Sequence, residues 1–327
     1  MMLMKKTTLL FGLFLVLLLA ACGANGTGDS ETSDSTDSAQ TADPTEEATE
    51  NDATQTVTDG KDREVTIPKN PESVVALTEI GEVMGLGVQP TASIGYYLDK
   101  FNPEKVEGIE NVGQDQANLE QLVALAPDLI IIPSYMEPTQ VDSLEKIAPT
   151  YATKFKSTPL ERMEGLATIL DKQDEFAQWK EEYATKVEET KEAIAPYVEE
   201  GDSALVVQFY DKLIYQHAPT VFSALYDNGV GFQVPEGAEA ITDTQSISEE
   251  VVADYAANTD FLFILTQNPE DNDRYQQLID TVWADIPAVQ NGKAFLVPNE
   301  RWNDYSISGM QWTLEDLPKV LAGEKVE

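Results

Sequence analysis

The sequence predicts an α/β protein of two lobes with similar topology. Three observations carry this. Short apolar runs alternate with helical patterns, which is how crossover helices covering mainly parallel sheets read in sequence. A Glu-bearing helix feeding a hydrophobic strand through an Asp occurs twice. Residues 118–122 lead through Pro127-Asp128 into 129–132, and residues 247–251 lead through Thr259-Asp260 into 261–265. Between the halves, residues 174–195 contain neither Gly nor Pro, and Phe176, Trp179, Tyr183, Val187 and Ile194 recur at helical spacing. That is a helix of about 22 residues and roughly 33 Å. It fits a stiff backbone between two lobes, and equally an ordinary packing helix within one larger sheet.

The chain opens with Lys5 and Lys6, an apolar run at 9–20, and Ala20-Ala21 before Cys22. A run of about 12 residues is too short to span a bilayer. Together these features look like a bacterial lipoprotein signal (1–21) cut before Cys22, whose thiol and new amine take lipid. The alternative is a plain secretory signal with a chance cysteine. Cys22 is the only cysteine in the chain and falls where the lipid pattern needs it. A lipidated Cys22 leaves no thiol for catalysis, and one cysteine allows no intrachain disulfide. Residues 22–60 are Ser, Thr, Ala, Asp, Glu and Gln with almost no large apolar residue and no base. Such a stretch cannot bury enough apolar surface to offset its ordering entropy, and like charges extend it. It reads as a disordered acidic tether, with the folded part starting near Lys61.

In the N-terminal lobe (61–158), strands are expected at 73–77, 91–94, 129–132 and 150–153. Helices are expected at 79–86, closed by Gly87, and at 119–125 and 141–147. A linking helical segment (159–199) holds a short helix at 160–170 and the long one. In the C-terminal lobe (200–327), strands are expected at 204–209, with a partner at 213–215, and at 261–265 and 294–297. Helices are expected at 221–228, closed by Gly229, and at 249–257, 274–282 and 313–321.

Charge excludes whole classes of function. The chain carries 58 Asp and Glu against 21 Lys and Arg, a formal charge of −37. Nucleic acid is not a partner, because that binding needs a basic footprint. One histidine, His217, excludes multi-His metal sites. No phosphate loop, nucleophile elbow or zinc-protease motif occurs. A carboxylate-pair hydrolase and a surface adhesion module remain as rival classes.

Several segments, in order, resemble the iron-siderophore group of solute-binding proteins of bacterial ABC importers, which also includes haem and cobalamin binders. They are 74–88 (VVALTEIGEVMGLGV), 111–133 (NVGQDQANLEQLVALAPDLIIIP), 247–265, and 283–298 (WADIPAVQNGKAFLVP) followed by Trp302. The resemblance covers nearly all of 61–327. It implies two Rossmann-like lobes joined by a single long helix, the class III periplasmic-binding-protein arrangement, with the ligand between the lobes. It implies no enzyme activity and no cofactor. The ligand would be an Fe(III)-siderophore complex and the partners an ABC permease with its ATPase. The place would be the outer face of a Gram-positive-type cytoplasmic membrane, on a lipid anchor, as a monomer. The docking residues it implies are Glu120 in one lobe and Glu250 in the other, with Glu249 a close rival.

Ligands of open α/β sheets sit beyond the carboxyl ends of strands. That rule selects Tyr96, Tyr97 and Tyr135 in the first lobe, and Tyr210, His217, Arg301 and Trp302 in the second. Aromatic rings suit the faces and methylene arms of an iron chelate, and arginine supplies fixed donors for its oxygens. Of four arginines, only Arg301 falls in an expected cleft loop. That favours a neutral or weakly charged ferric hydroxamate over a trianionic catecholate, with no direct protein ligand to the metal. His217 keeps haem open as an alternative ligand.

Overall fold

The computed structural model describes residues 53–326 apart from Pro269. The signal segment, Cys22 and most of the acidic leader lie outside the described residues. The leader's last residues do not belong to a tether. β1 (Thr54–Thr58) pairs antiparallel with β2 (Glu64–Pro68), so the folded part begins near Ala53 rather than Lys61. The Asp59 carboxylate closes the turn, accepting from the Lys61 and Arg63 N–H groups and from the Arg63 guanidinium. Gly60 N–H donates to the Ala152 carbonyl at 2.7 Å, which ties the hairpin to the first lobe.

The first lobe follows as β3 (Val74–Ala76), α1 (Ile80–Gly85), β4 (Ala92–Ser93), α2 (Gly95–Leu98), β5 (Glu110–Asn111), α3 (Leu119–Leu125), β6 (Leu129–Pro133), α4 (Pro138–Leu144) and β7 (Thr150–Thr153). Its five strands pair in the order β5-β4-β3-β6-β7, all parallel. β6 is buried along its whole length, which its unbroken apolar run requires.

Two helices follow, α5 (Pro159–Ile169) and α6 (Gln173–Ile194). Thr158 and Glu161 form a reciprocal capping box at the start of α5, with Pro159 in its first turn. Along α6, Phe176, Trp179, Tyr183 and Val187 pack into the core of the first lobe, and Ile194 packs into that of the second. The helix therefore joins the lobes.

The second lobe contains β8 (Ala204–Tyr210), β9 (Leu213–Gln216), β10 (Gln245–Ile247), α7 (Glu249–Tyr255), β11 (Phe261–Thr266), α8 (Glu270–Ile279), α9 (Pro287–Gln290), β12 (Ala294–Pro298), α10 (Asn299–Trp302) and α11 (Ile307–Leu321). Its sheet order is β10-β9-β8-β11-β12; β8, β11 and β12 are parallel, while β9 and β10 are antiparallel additions. The helix expected at 221–228 is replaced by a 3₁₀ turn at Pro219–Phe222 and further turns. Residues 222–226 are buried in unbroken succession and only Asp227 and Asn228 are exposed, so the stretch lacks the alternating faces of an amphipathic surface helix. α11 starts six residues earlier than expected. Ile307, Met310 and Leu314 pack in the first lobe, and Leu317, Val320 and Leu321 in the second, so it lies alongside α6 as a further link.

Candidate ligand-binding site

The site begins with a glycine. Gly113 has φ 131°, and a Cβ there would lie 2.0 Å from the Gln116 carbonyl oxygen. Only glycine lets the loop turn back on itself. Its Gly113 and Gln114 carbonyls then accept from the Gly95 and Tyr96 N–H groups at 2.7 and 2.9 Å. This pins the single turn α2, which carries Tyr96 and Tyr97 with ring centroids 5.1 Å apart, edge to face.

Tyr135 stands on the turn after β6. Lys61 Nζ donates to the Ser134 and Met136 carbonyls on either side of it, at 2.8 and 3.0 Å. Ser134 Oγ accepts from the Phe155 N–H at 2.8 Å, and Phe155 meets Tyr135 edge to face at 5.3 Å. The Tyr97 and Tyr135 hydroxyls are hydrogen-bonded, and burial foremost pushes both phenols above their ordinary range. The hairpin and two loops thus aim four aromatic rings at one place.

Beside the rings is a cavity of about 240 Å³ with charged walls. Lys100 Nζ contacts Asp304 Oδ1 at 2.6 Å and sits 4.8 Å from the Tyr96 ring centroid. Arg162, on α5, reaches Glu82 Oε1 at 3.1 Å, the Ser157 carbonyl at 3.1 Å and the Tyr305 carbonyl. Glu79 accepts from the Thr78 and Thr153 hydroxyls at 2.5 Å each. Burial, then the Glu79 charge, pushes Glu82 up to about 7 against the opposing pull of Arg162. The segment 303–306, between α10 and α11, forms the opposite wall.

The second lobe reaches this wall through neutral groups. His217 Nε2 donates to Gln208 Oε1 at 2.8 Å, and His217 Nδ1 accepts from the Thr244 hydroxyl at 2.9 Å. Gln208 Nε2 donates to Asn299 Oδ1 at 2.9 Å, and Asn303 Nδ2, at the cavity, donates to the same Asn299 oxygen at 3.2 Å. Beside Thr244, Asp243 meets Lys156 of the first lobe at 2.7 Å.

Of the residues selected by sequence, Tyr96, Tyr97 and Tyr135 come together, and the other four do not line this cavity. Tyr210 is exposed and packs edge-on against Tyr215, 6.1 Å away, outside the cavity wall. His217 is buried with both ring nitrogens engaged, and burial lowers it to about 4, so no lone pair is presented for haem iron. Trp302 is 1% exposed, stacked in the core at 5.2 Å from Phe263, with its indole N–H on Asp316. Arg301 is committed to Asp316 at 2.9 Å and Glu315 at 3.3 Å, not to the cleft. The arginine at the site is Arg162, joined by Lys100. Sequence reasoning passed over both. Arg162 had a signal, since it lies four residues before the buried Leu166 on the inward face of an amphipathic helix. Lys100 had none, because its partner Asp304 is 204 residues away.

Glu120 and Glu250 stand in the first turns of α3 and α7. Asn118 caps the first through the Glu120 and Gln121 N–H groups, and Ser248 caps the second through Val251 N–H. Both carboxylates are exposed. Glu249 is instead paired with Arg274 at 3.3 Å, whereas the Glu250 carboxylate accepts a hydrogen bond from the Ser248 side chain, which holds it below the usual carboxylate range.

The family described as periplasmic binding protein matches the chain over residues 71–300. The iron(3+)-hydroxamate-binding protein YxeB of Bacillus subtilis (strain 168) is 24% identical over 306 residues, covering 90% of this chain and 89% of the relative. The iron(3+)-hydroxamate-binding protein FhuD of the same organism is 28% identical over 303 residues, covering 87% of each. Among solved structures, the FhuD protein from S. pseudintermedius aligns with a TM-score of 0.67 at 24% identity, covering 82% of this chain and 98% of that one. Staphylococcus aureus SirA complexed with staphyloferrin B aligns with a TM-score of 0.67 at 20% identity, over the same shares.

Proposed function

The chain belongs to the periplasmic binding protein family, and from that premise we propose that it is a membrane-anchored receptor that binds a ferric siderophore between its lobes and delivers it to an ABC permease. The favoured ligand is a neutral ferric hydroxamate. The observation that carries this is the charge balance of the cavity: Lys100, Lys154 and Arg162 face Glu79, Glu82 and Asp304, so even with Glu82 protonated a single cation is in surplus. A trianionic chelate would need surplus cations there; a neutral chelate needs aromatic walls and a few fixed donors, which Tyr96, Tyr97, Tyr135 and Arg162 supply. The hydroxamate-binding names of the two Bacillus relatives support the same reading. The relatives named as lipoproteins support the anchor at Cys22 on the outer face of a Gram-positive-type membrane. Glu120 and Glu250 are the docking carboxylates of this reading, and the receptor acts as a monomer.

Calorimetric titration with ferric trihydroxamate, ferric tricatecholate, haem and cobalamin tests it. Saturable one-to-one binding to the trihydroxamate is expected, with at least tenfold weaker binding of the others, about 1.4 kcal/mol. Preference for the tricatecholate or haem would refute the hydroxamate assignment.

A further inference from the structure

A second and larger cavity, about 680 Å³, opens behind the tyrosines between α2, α3 and α4. It belongs to the first lobe alone. Thr78, Tyr96, Tyr97, Pro133 and Tyr135 line both this cavity and the charged one, so the two compartments share a wall. Their chemistry differs. Lys100, Lys154 and Arg162 all lie on the charged side. The larger compartment has Leu77, Ile94, Ala117, Met136 and Leu144 on its walls, and its only charged residues are the acids Asp115 and Glu137. Its volume falls in the range of pockets that bury a small organic ligand.

We propose that this compartment receives a pendant arm of the same ligand whose chelate lies beyond the tyrosines, and that the arm is apolar and uncharged or cationic at its tip. The inference rests on the proposed siderophore function and adds to it a ligand class: two-part chelates with an extended arm, rather than compact ones. Shared walls allow one molecule to fill both spaces. The apolar walls reward methylene groups, and Asp115 and Glu137 exclude an anionic tip. Leu119, the first residue of α3 and the neighbour of Glu120, lines the compartment, so an arm seated there touches the proposed docking helix.

The test uses the whole mature protein and three probes: a compact ferric trihydroxamate, the same chelate with an octyl chain attached through an amide, and the same chain ending in a carboxylate. The octyl chelate is expected to bind at least about tenfold tighter than the compact one, since each buried methylene contributes favourably. The carboxylate-tipped probe should lose that gain. Ser143→Phe, which fills the compartment from α4, should bring the octyl chelate down to the affinity of the compact one while leaving the latter unchanged. Ala117→Phe does the same from the loop before α3, should Ser143→Phe unfold in a thermal melt. Equal wild-type affinities for the compact and octyl probes would overturn the arm and leave the siderophore reading standing. If no probe binds, both readings fall. Lost transport with all affinities intact in Ser143→Phe would assign the compartment to the permease and overturn the inference.

Discussion

On the first-lobe side of the cleft, Glu79 and Glu82 are buried ionisable groups in contact with a cavity, and the half-buried Arg162 lies against them. On the second-lobe side, Gln208, His217 and Asn299 are buried as neutral groups that exchange hydrogen bonds among themselves. Burying charge is costly unless each ion is paired, whereas a neutral network is stable once every donor has an acceptor. In the proposed function the first wall would therefore carry the chemistry that distinguishes ligands. The second wall fixes the position of Asn303 and the 242–244 loop and contributes shape. The contrast also explains why cations chosen from the second lobe fail. Arg301 lies behind that wall, neutralised by Asp316 and Glu315 before it can reach a ligand.

The largest effect should come from breaking the charged wall. At pH 8, where Glu82 has released its proton, Arg162→Met leaves it buried beside Glu79 without a counter-ion and should cost about 3–5 kcal/mol in urea unfolding. It should also abolish tight ligand binding. A loss below about 1 kcal/mol would mean that the pair is solvated and the contrast between walls is false.

Titration separates the walls next. The native state holds the Glu82 proton to about pH 7, whereas the unfolded chain releases it near 4.5, so stability falls as pH rises across that window by about 3 kcal/mol. His217 runs the other way. Burial lowers it from 6.5 to about 4, so its contribution is present above 6.5 and lost as pH falls toward 4, again by about 3 kcal/mol. Between pH 4.5 and 6.5 the two slopes cancel. Glu82→Gln should remove one of them, and stability should then rise with pH across that range in chemical unfolding. Parallel wild-type and variant curves would show that Glu82 is ionised in the native state.

A smaller effect is expected from the neutral wall. Gln208→Leu leaves the His217 Nε2–H without its acceptor and the Asn299 amide oxygen with the Asn303 donor alone, and should cost about 1–3 kcal/mol. Ligand affinity should change less than for Arg162→Met. If affinity falls as far, the second lobe is reading the ligand directly.

The smallest effects belong to the outer surface. Glu120→Ala and Glu250→Ala should leave ligand affinity within about threefold while reducing uptake in cells. Loss of affinity beyond tenfold would put these helix starts in the cleft.

How far the sequence reveals these walls depends on how local each feature is. α6 is legible because its aromatic spacing repeats within one helix, and β6 and β11 because an unbroken apolar run has few other uses. Tyr96, Tyr97 and Tyr135 are legible because they directly follow strands. The hairpin β1–β2 is hidden. Its alternation places the polar Gln55 inward beside Val57, Val65 and Ile67, and the acidic stretch before it dominates the composition. Trp302 shows a different limit. Its position after β12 can be read, but the direction of α10 is set by Asp316 on the following helix, so the indole turns inward. The Lys100–Asp304 and Arg162–Glu82 pairs join residues 204 and 80 positions apart, and no periodicity encodes such distances.

The hairpin has a consequence for where the protein can be shortened. A truncation starting at Lys61, the boundary that composition recommends, would delete β1 and the Asp59 carboxylate. β2 would become an unpaired edge, and Arg63 would keep only Glu145 and the Thr150 carbonyl. Lys61 would become a charged terminus without Asp59 on its N–H. The loop that aims Tyr135 would then be fastened only by the ammonium of an untethered chain end, although every residue lining the cavity would still be present. The smallest portion that preserves the pocket therefore starts at Ala53, and the last stretch of the acidic leader belongs to the receptor's binding half.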